Sequence, residues 1–216
     1  MAKQKRDAKL TKANILKAAI ELFSVKSFDA TTVDDIAVHC NVNKAMIYYY
    51  YKNKAGLYEQ AMVTLMEDIY NDIYIEYKKS KTALEGLKAF IITYSLYAKK
   101  HPYFPALLLR ELSNSGAHLP ELMFFKMRKI FFLLSEILEK GVKDGIFYDV
   151  KPMIIHFMII GTINLMMTTT PIREKAMNLE DLNIDTCSKC DTQEIANYVY
   201  EKIKIMLEKK VWKNIL

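Results

Sequence analysis

Six glycines and five prolines are scattered through 216 residues, and this scarcity is the strongest constraint on what the chain can fold into. A β-sandwich or barrel needs a turn roughly every 8–12 residues. A phosphate-cradling loop needs its glycines clustered. Neither fits here. Leu, Ile, Met, Lys, Ala and Glu dominate instead; 51% of residues are apolar and 26% charged, which is enough to build a packed core. The expected class is all-α, with about nine helices.

Charge is unevenly placed. Residues 1–57 hold ten Lys or Arg against five Asp or Glu; ten minus five is +5, so the total of +6 leaves +1 for residues 58–216. A basic head on a near-neutral body suits a polyanionic partner, and it equally suits a merely soluble N-terminus. Lys9, Lys12, Lys17 and Glu21 interrupt any apolar leader run, so no signal peptide is expected. The stretch 152–172 carries no formal charge and is long enough to span a bilayer. It also holds His156, Thr162, Asn164, Thr168–Thr170 and Pro171, which are costly in lipid, so a buried helix is expected there.

Residues 1–9 are polar and are expected as a flexible arm. From Leu10 the apolar residues Ile15, Leu16, Ala19, Ile20, Leu22 and Phe23 follow helical spacing, ending near Ser27. Thr32-Val33-Asp34-Asp35 has the form of a capping box for a short helix to His39 or Cys40. Asn41 suits a turn position of positive φ, and Asn43 suits the N-cap of a third helix over residues 44–49. Asn53 can cap a long fourth helix reaching about Lys79. Two short helices joined by a tight turn behind a longer one form a helix-turn-helix arrangement, in which one helix crosses the DNA backbone and the next meets base edges.

The stretch from Thr32 and Val33, through Ile36-Ala37, Cys40–Lys54 and Leu57, resembles the N-terminal signature of the TetR family of bacterial transcriptional regulators over about 45 residues. His101–Leu112, HPYFPALLLREL, resembles a helix corner found in many members. The resemblance implies a DNA-binding domain over 1–57 and a helical effector-binding and dimerisation domain over 58–216. Asn43, Lys44, Ala45 and Met46 lie where members begin the recognition helix; a lysine there reaches guanine O6 and N7, and an apolar neighbour meets a thymine methyl. Tyr48 matches an aromatic that contacts DNA in several members, and Tyr49 and Tyr50 match positions that place a ring or hydroxyl on the DNA backbone. Lys54 matches a lysine opening the fourth helix, and Thr32 stands at the start of the second; both are expected at phosphates. Tyr51 matches a buried aromatic. The chain departs from the family pattern at Asn41 and Ala45, where glycines are usual, and at Ala55-Gly56, where an acid often follows the lysine.

Further helices are expected over 83–100, 103–113, 119–143, 152–169 and 192–210. The resemblance implies a small apolar or aromatic effector held among them, for which Tyr70, Tyr94, Tyr97, Phe124, Met127 and Phe131 are candidates against a default of core packing. It also implies a homodimer through the last two helices, with His156, Gly161, Asn164, Ile195, Tyr198, Val199, Ile203 and Met206 as candidate interface residues. A two-fold dimer predicts a near-palindromic double-stranded DNA operator.

Cys187-Ser188-Lys189-Cys190 is an isolated CxxC: incidental thiols, a redox pair, or half of a metal site completed by a second copy. In the cytoplasm its thiols are expected mostly reduced. The four histidines do not pair at metal-ligand spacing, and the chain holds none of the GxxxxGK, GxGxxG, HExxH or GxSxG motifs, so neither cofactor nor catalysis is expected. The reading is a cytoplasmic, homodimeric DNA-binding repressor released by a small molecule. The alternatives are a membrane-associated helical protein spanning at 152–172 and a regulator whose sensor is the Cys187/Cys190 pair.

Overall fold

The computed structural model describes residues 2–177, 187 and 190–209. Among them lie ten helices: α1 (Ala2–Lys26), α2 (Val33–His39), α3 (Lys44–Tyr51), α4 (Lys54–Tyr77), α5 (Ala83–Lys100), α6 (Tyr103–Ser113), α7 (Glu121–Lys143), α8 (Pro152–Thr168), α9 (Thr170–Met177) and α10 (Thr192–Leu207). The all-α class is confirmed. Contacts divide the chain into two compact units, one of Met1–Asp68 with Tyr103–Met127 and one of Ile69–Pro102 with Arg128–Leu216.

In the first unit α1 packs against both α2 and α6, and α2 against α3. The shared interior holds Ile15, Ala19, Phe23, Ile36, Ile47, Leu57 and Tyr58, all buried. Phe23 and Phe28 meet the edge of Tyr58, each with ring centroids 4.9 Å apart, a favourable aromatic geometry. The Tyr58 hydroxyl donates to the buried Glu111 carboxylate at 2.5 Å. The expectation of a flexible arm at 1–9 is corrected, because α1 begins at Ala2: Lys and Ala are good helix formers and the polar N-terminal turns continue the helix nucleated behind them.

In the second unit α5 is the central element, packed on α8 and α10 through Leu87, Phe90, Ile91 and Tyr94. Capping boxes start α5 at Thr82 with Glu85 and α10 at Asp191 with Glu194, and Lys99 of α5 pairs with Asp191 at 2.8 Å. The chain after α7 is pinned to the end of α10 by Tyr148 N–H to the Leu207 carbonyl and Lys209 N–H to the Ile146 carbonyl, both 2.8 Å. Gly141 of α7 is where Phe147 packs down: a Cβ there would lie 1.9 Å from the Phe147 ring, and that ring is fully buried.

The helix expected over 152–169 is α8, and a further helix, α9, follows it. α8 stops at Thr168 and α9 leaves it at 61°. Thr168, Thr169 and Thr170 turn their hydroxyls back to the carbonyls of Asn164, Leu165 and Met166 at 2.8, 2.6 and 3.1 Å, and Arg173 donates to Met166 O at 2.8 Å. These bonds add side-chain donors to the last carbonyls of α8, the Leu165 carbonyl also accepting from Thr169 N–H at 2.9 Å, and Pro171 has no N–H to offer. This is how nine helices become ten. No single described helix is long and apolar enough to cross a membrane. At about 1.5 Å per residue, α8 is near 26 Å long, and Ile155, Ile159, Ile160, Ile163 and Asn164 face the interior of this unit.

His156 of α8 stands edge-on to Phe131 and Phe157, each with centroids 5.7 Å away. Its Nδ1 has no hydrogen-bond partner among the described residues, and burial lowers its pKa to about 4. The folded state therefore keeps it neutral while the unfolded chain takes up a proton near pH 6.5, so its neutrality stabilises the fold above that pH and the contribution is lost as pH falls toward 4. Urea titrations should show wild type losing up to about 3 kcal/mol across that window through this residue, a loss that His156→Phe removes. In the same assay Gly141→Ala should cost about 1–3 kcal/mol, because the buried ring has no room to retreat.

Candidate nucleic-acid interface

The helix-turn-helix is built by capping and by two tethers to α1. Thr32 caps α2: its hydroxyl accepts from Asp35 N–H, and Asp35 accepts from Thr32 N–H, both at 3.0 Å. These bonds, backbone first, hold the Asp35 carboxyl below the usual range. Asn41 adopts φ +52°, as expected for the tight turn, which is closed by Val42 N–H to Ala37 O at 3.0 Å. Asn43 then caps α3 through Ala45 N–H at 2.8 Å. Asn14 of α1 donates to the Cys40 carbonyl at 3.0 Å, and Tyr51 at the end of α3 donates to the Lys12 carbonyl at 2.8 Å. The C-terminal end of each helix of the pair is thereby fixed on α1. Burial raises the Tyr51 phenol to about 12 and pushes the Cys40 thiol up.

With Ile47 and Tyr51 turned inward, the opposite face of α3 is free. Asn43, Ala45, Tyr48 and Tyr49 are exposed and Lys44, Met46 and Tyr50 half-buried; Tyr49 is 77% exposed. Tyr49 and Tyr50 meet edge to face at 5.1 Å. The seven candidates on and before α3 thus share one segment whose surface is available. Lys44 donates to Asp34 at 2.7 Å, which raises its pKa, and its Nζ lies 5.9 Å from the Tyr48 ring centre. Asp34 was not among the expected site residues; its place in the first turn of α2 hid it as a helix-favouring acid.

Lys54 opens α4. Its ammonium donates to the Phe28 carbonyl at 3.0 Å and lies 4.3 Å from the Phe28 ring centre. It ties the start of α4 to the α1–α2 turn. Asn53 caps α4 as expected, accepting from Gly56 N–H at 2.8 Å, and Gly56 is required because a Cβ would lie 2.4 Å from the Tyr51 carbonyl oxygen.

The effector candidates are dispersed. In the second unit Tyr94 and Tyr97 are buried, and the Tyr94 hydroxyl donates to the buried Asn164 at 3.0 Å. Tyr70 is half-buried, stacked on Tyr74 at 5.7 Å with Lys129 Nζ 5.5 Å from its centre, and Phe131 packs beside His156. Met127 and Phe124 belong to the first unit. Phe124 is 54% exposed, one position round α7 from the buried Met123, so it faces outward rather than into an interior.

The interface candidates divide as well. Asn164 of α8 and Ile195, Val199 and Ile203 of α10 are buried within the second unit, where α10 packs on α5. Tyr198 and Met206 are exposed, and His156 and Gly161 half-exposed, with open space around Gly161. The apolar residues sequence periodicity missed are Met153, Ile154, Phe157, Met158 and Leu165 on α8 and Ile205 on α10, all exposed. Since α8 is apolar around its whole circumference, periodicity had no way to say which side faced out. Cys187 and Cys190 are joined as a disulfide, with Cα atoms 5.0 Å apart, where reduced thiols were expected; in this form they have no thiolate for a metal. Ser188 and Lys189 lie outside the described residues.

The first unit is thus a helix-turn-helix protein with an open second helix. Residues 15–61 match the bacterial regulatory proteins of the tetR family. It is 36% identical over 83 residues to the biofilm operon icaADBC HTH-type negative transcriptional regulator IcaR of Staphylococcus aureus (strain Newman), covering 38% of this chain; the match spans about half, 45%, of that relative's length. It is 29% identical over 153 residues to the HTH-type transcriptional repressor NicS of Pseudomonas putida (strain KT2440), covering 67% of this chain and 69% of that one. Solved structures share the fold: the transcriptional regulator FadR from Bacillus subtilis in complex with stearoyl-CoA (TM-score 0.72, 22% identity, 90% of this chain and 98% of that one) and a linker-substituted HlyIIR mutant (TM-score 0.70, 22% identity, 94% and 98%).

Removing either cap should loosen the helix pair. Thr32→Ala and Asn43→Ala are each expected to cost about 0.5–2 kcal/mol, measured by chemical denaturation followed by circular dichroism, whereas Thr64→Ala in mid-α4 should cost less.

Proposed function

We propose that the chain is a DNA-binding transcriptional regulator, a homodimeric repressor that leaves a near-palindromic operator when a small apolar or aromatic ligand binds. The observation that carries this is the free face of α3: Asn43, Ala45, Tyr48 and Tyr49 stand open, with Lys44 half-buried beside them, on a helix locked from behind by Ile47 and Tyr51. A rigid short helix presenting a lysine, a methyl and phenol rings suits major-groove edges and the flanking phosphates. Thr32, Tyr50 and Lys54 are assigned to the DNA backbone, Lys54 from a position where it also holds the turn that carries α2. Relatives that act as a negative regulator and a repressor favour repression, acting on DNA in the cytoplasm.

The dimer is assigned to the exposed apolar residues of α8 and α10, Phe157 and Tyr198 foremost, since contiguous apolar surface of this kind marks association sites. The effector is assigned to the second unit, around Tyr94, Tyr97 and Phe131, where a tyrosine–asparagine pair lies within an apolar interior; a structural relative that holds stearoyl-CoA favours an apolar molecule. Fluorescence anisotropy against the intergenic DNA beside its own gene, over a range of salt, tests the reading. Two protomers per site and a clear preference over unrelated duplex are expected; equal, salt-labile binding to every duplex would overturn it. Phe157→Glu, at a residue 60% exposed, should give a folded monomer by sedimentation with operator affinity reduced at least tenfold.

A further inference from the structure

Resting on the DNA-binding reading above, we propose that Asp34 is a specificity-determining residue: by pairing with Lys44 it reserves that ammonium for base edges and withholds it from the phosphate backbone. Asp34 occupies the second position of α2 and Lys44 the first of α3. Packing of Ile36, Ala37 and Ile47 into the shared interior brings the two together across the turn, with Nζ 2.7 Å from Oδ2. Both remain in reach of solvent, their side chains 67% and 43% exposed. The cap of α2 does not use Asp34; Thr32 and Asp35 make the whole box, and Asp35 also pairs with Lys26 at 3.4 Å.

An ammonium has three donors. With one given to Asp34, two remain, which is the number of acceptors guanine offers at O6 and N7. The pair is electrically neutral, so bringing it to DNA releases no counterion on its account. Moving Lys44 to a phosphate instead requires breaking the pair and leaving a bare carboxylate beside the polyanion. Asp34 therefore weakens indiscriminate binding more than it weakens binding at the correct base pair. Specificity of this kind comes from a repulsive group as much as from an attractive one.

The test uses the full chain and a pool of random double-stranded DNA. Sequences enriched by wild type are titrated beside an unrelated duplex at several salt concentrations, for wild type, Asp34→Asn, Lys44→Ala and the double variant. Asp34→Asn is expected to tighten binding to unrelated DNA several-fold at low salt. It should steepen the salt slope by about 0.9 and cut the ratio of specific to unrelated affinity about tenfold. Lys44→Ala should lower that ratio by relaxing preference at one base-pair position, and adding Asp34→Asn to it should change the ratio no further. Asp34→Glu, which keeps the charge, should retain the wild-type ratio, and circular-dichroism melts confirm that the variants compared are folded. An unchanged ratio and slope in Asp34→Asn, or an equal change with and without Lys44, overturns the inference while leaving wild-type selection intact. A wild type that enriches no sequence overturns the DNA-binding reading itself.

Discussion

Helices of seven and eight residues are too short to persist alone, because nucleation costs more than a few hydrogen bonds return. α2 and α3 exist because Ile36, Ile47 and Tyr51 are buried together with Ile15, Ala19 and Phe23 of α1. The tethers from Asn14 to the Cys40 carbonyl and from Tyr51 to the Lys12 carbonyl then set where the pair sits. Everything attributed to the outer face of α3 follows from that inner face. A recognition surface has to be rigid before it touches its partner, since ordering it on contact would subtract from affinity.

The charges of this head act more by placement than by number. Its basic excess is modest, and several of its cations are engaged within the protein: Lys44 with Asp34, Lys54 with the Phe28 carbonyl, Lys26 with Asp35. Such exposed pairs contribute little to stability, and their consequence lies in what each cation is free to meet. A head of unpaired lysines would bind any duplex. One whose Lys44 is held by Asp34 would, on the reading proposed above, favour sites that offer hydrogen-bond acceptors in the right place.

In the second unit one apolar supply serves two ends. α10 gives its regular stripe of Ile195, Val199 and Ile203 to the interior, leaving Tyr198, Ile205 and Met206 outside, and α8 has apolar residues on both sides. An apolar residue on the surface of a helix that already has a complete inner face is surplus to the protomer's own core, which is why this surface is where association is proposed.

The local features were legible in the sequence because their causes are local. Thr32 with Asp35, Asn43 and Asn53 cap helices through bonds spanning two or three residues, Asn41 tolerates positive φ by itself, and the spans of α5 and α6 follow from apolar spacing and flanking prolines. The helix-turn-helix and its candidate residues were visible for the same reason. What the sequence left open involves partners distant along the chain. The α8–α9 break falls where three hydroxyls and Arg173 bond back to carbonyls of α8. Which side of α8 and α10 faces in depends on α5. That Lys54 turns to the α1–α2 turn, and that Asp34 holds Lys44, depends on elements ten or more residues apart being folded together. Periodicity and capping chemistry determined the helices; only tertiary packing decided which of their side chains are left free to act, because burial and pairing are properties of the neighbours and not of the residue.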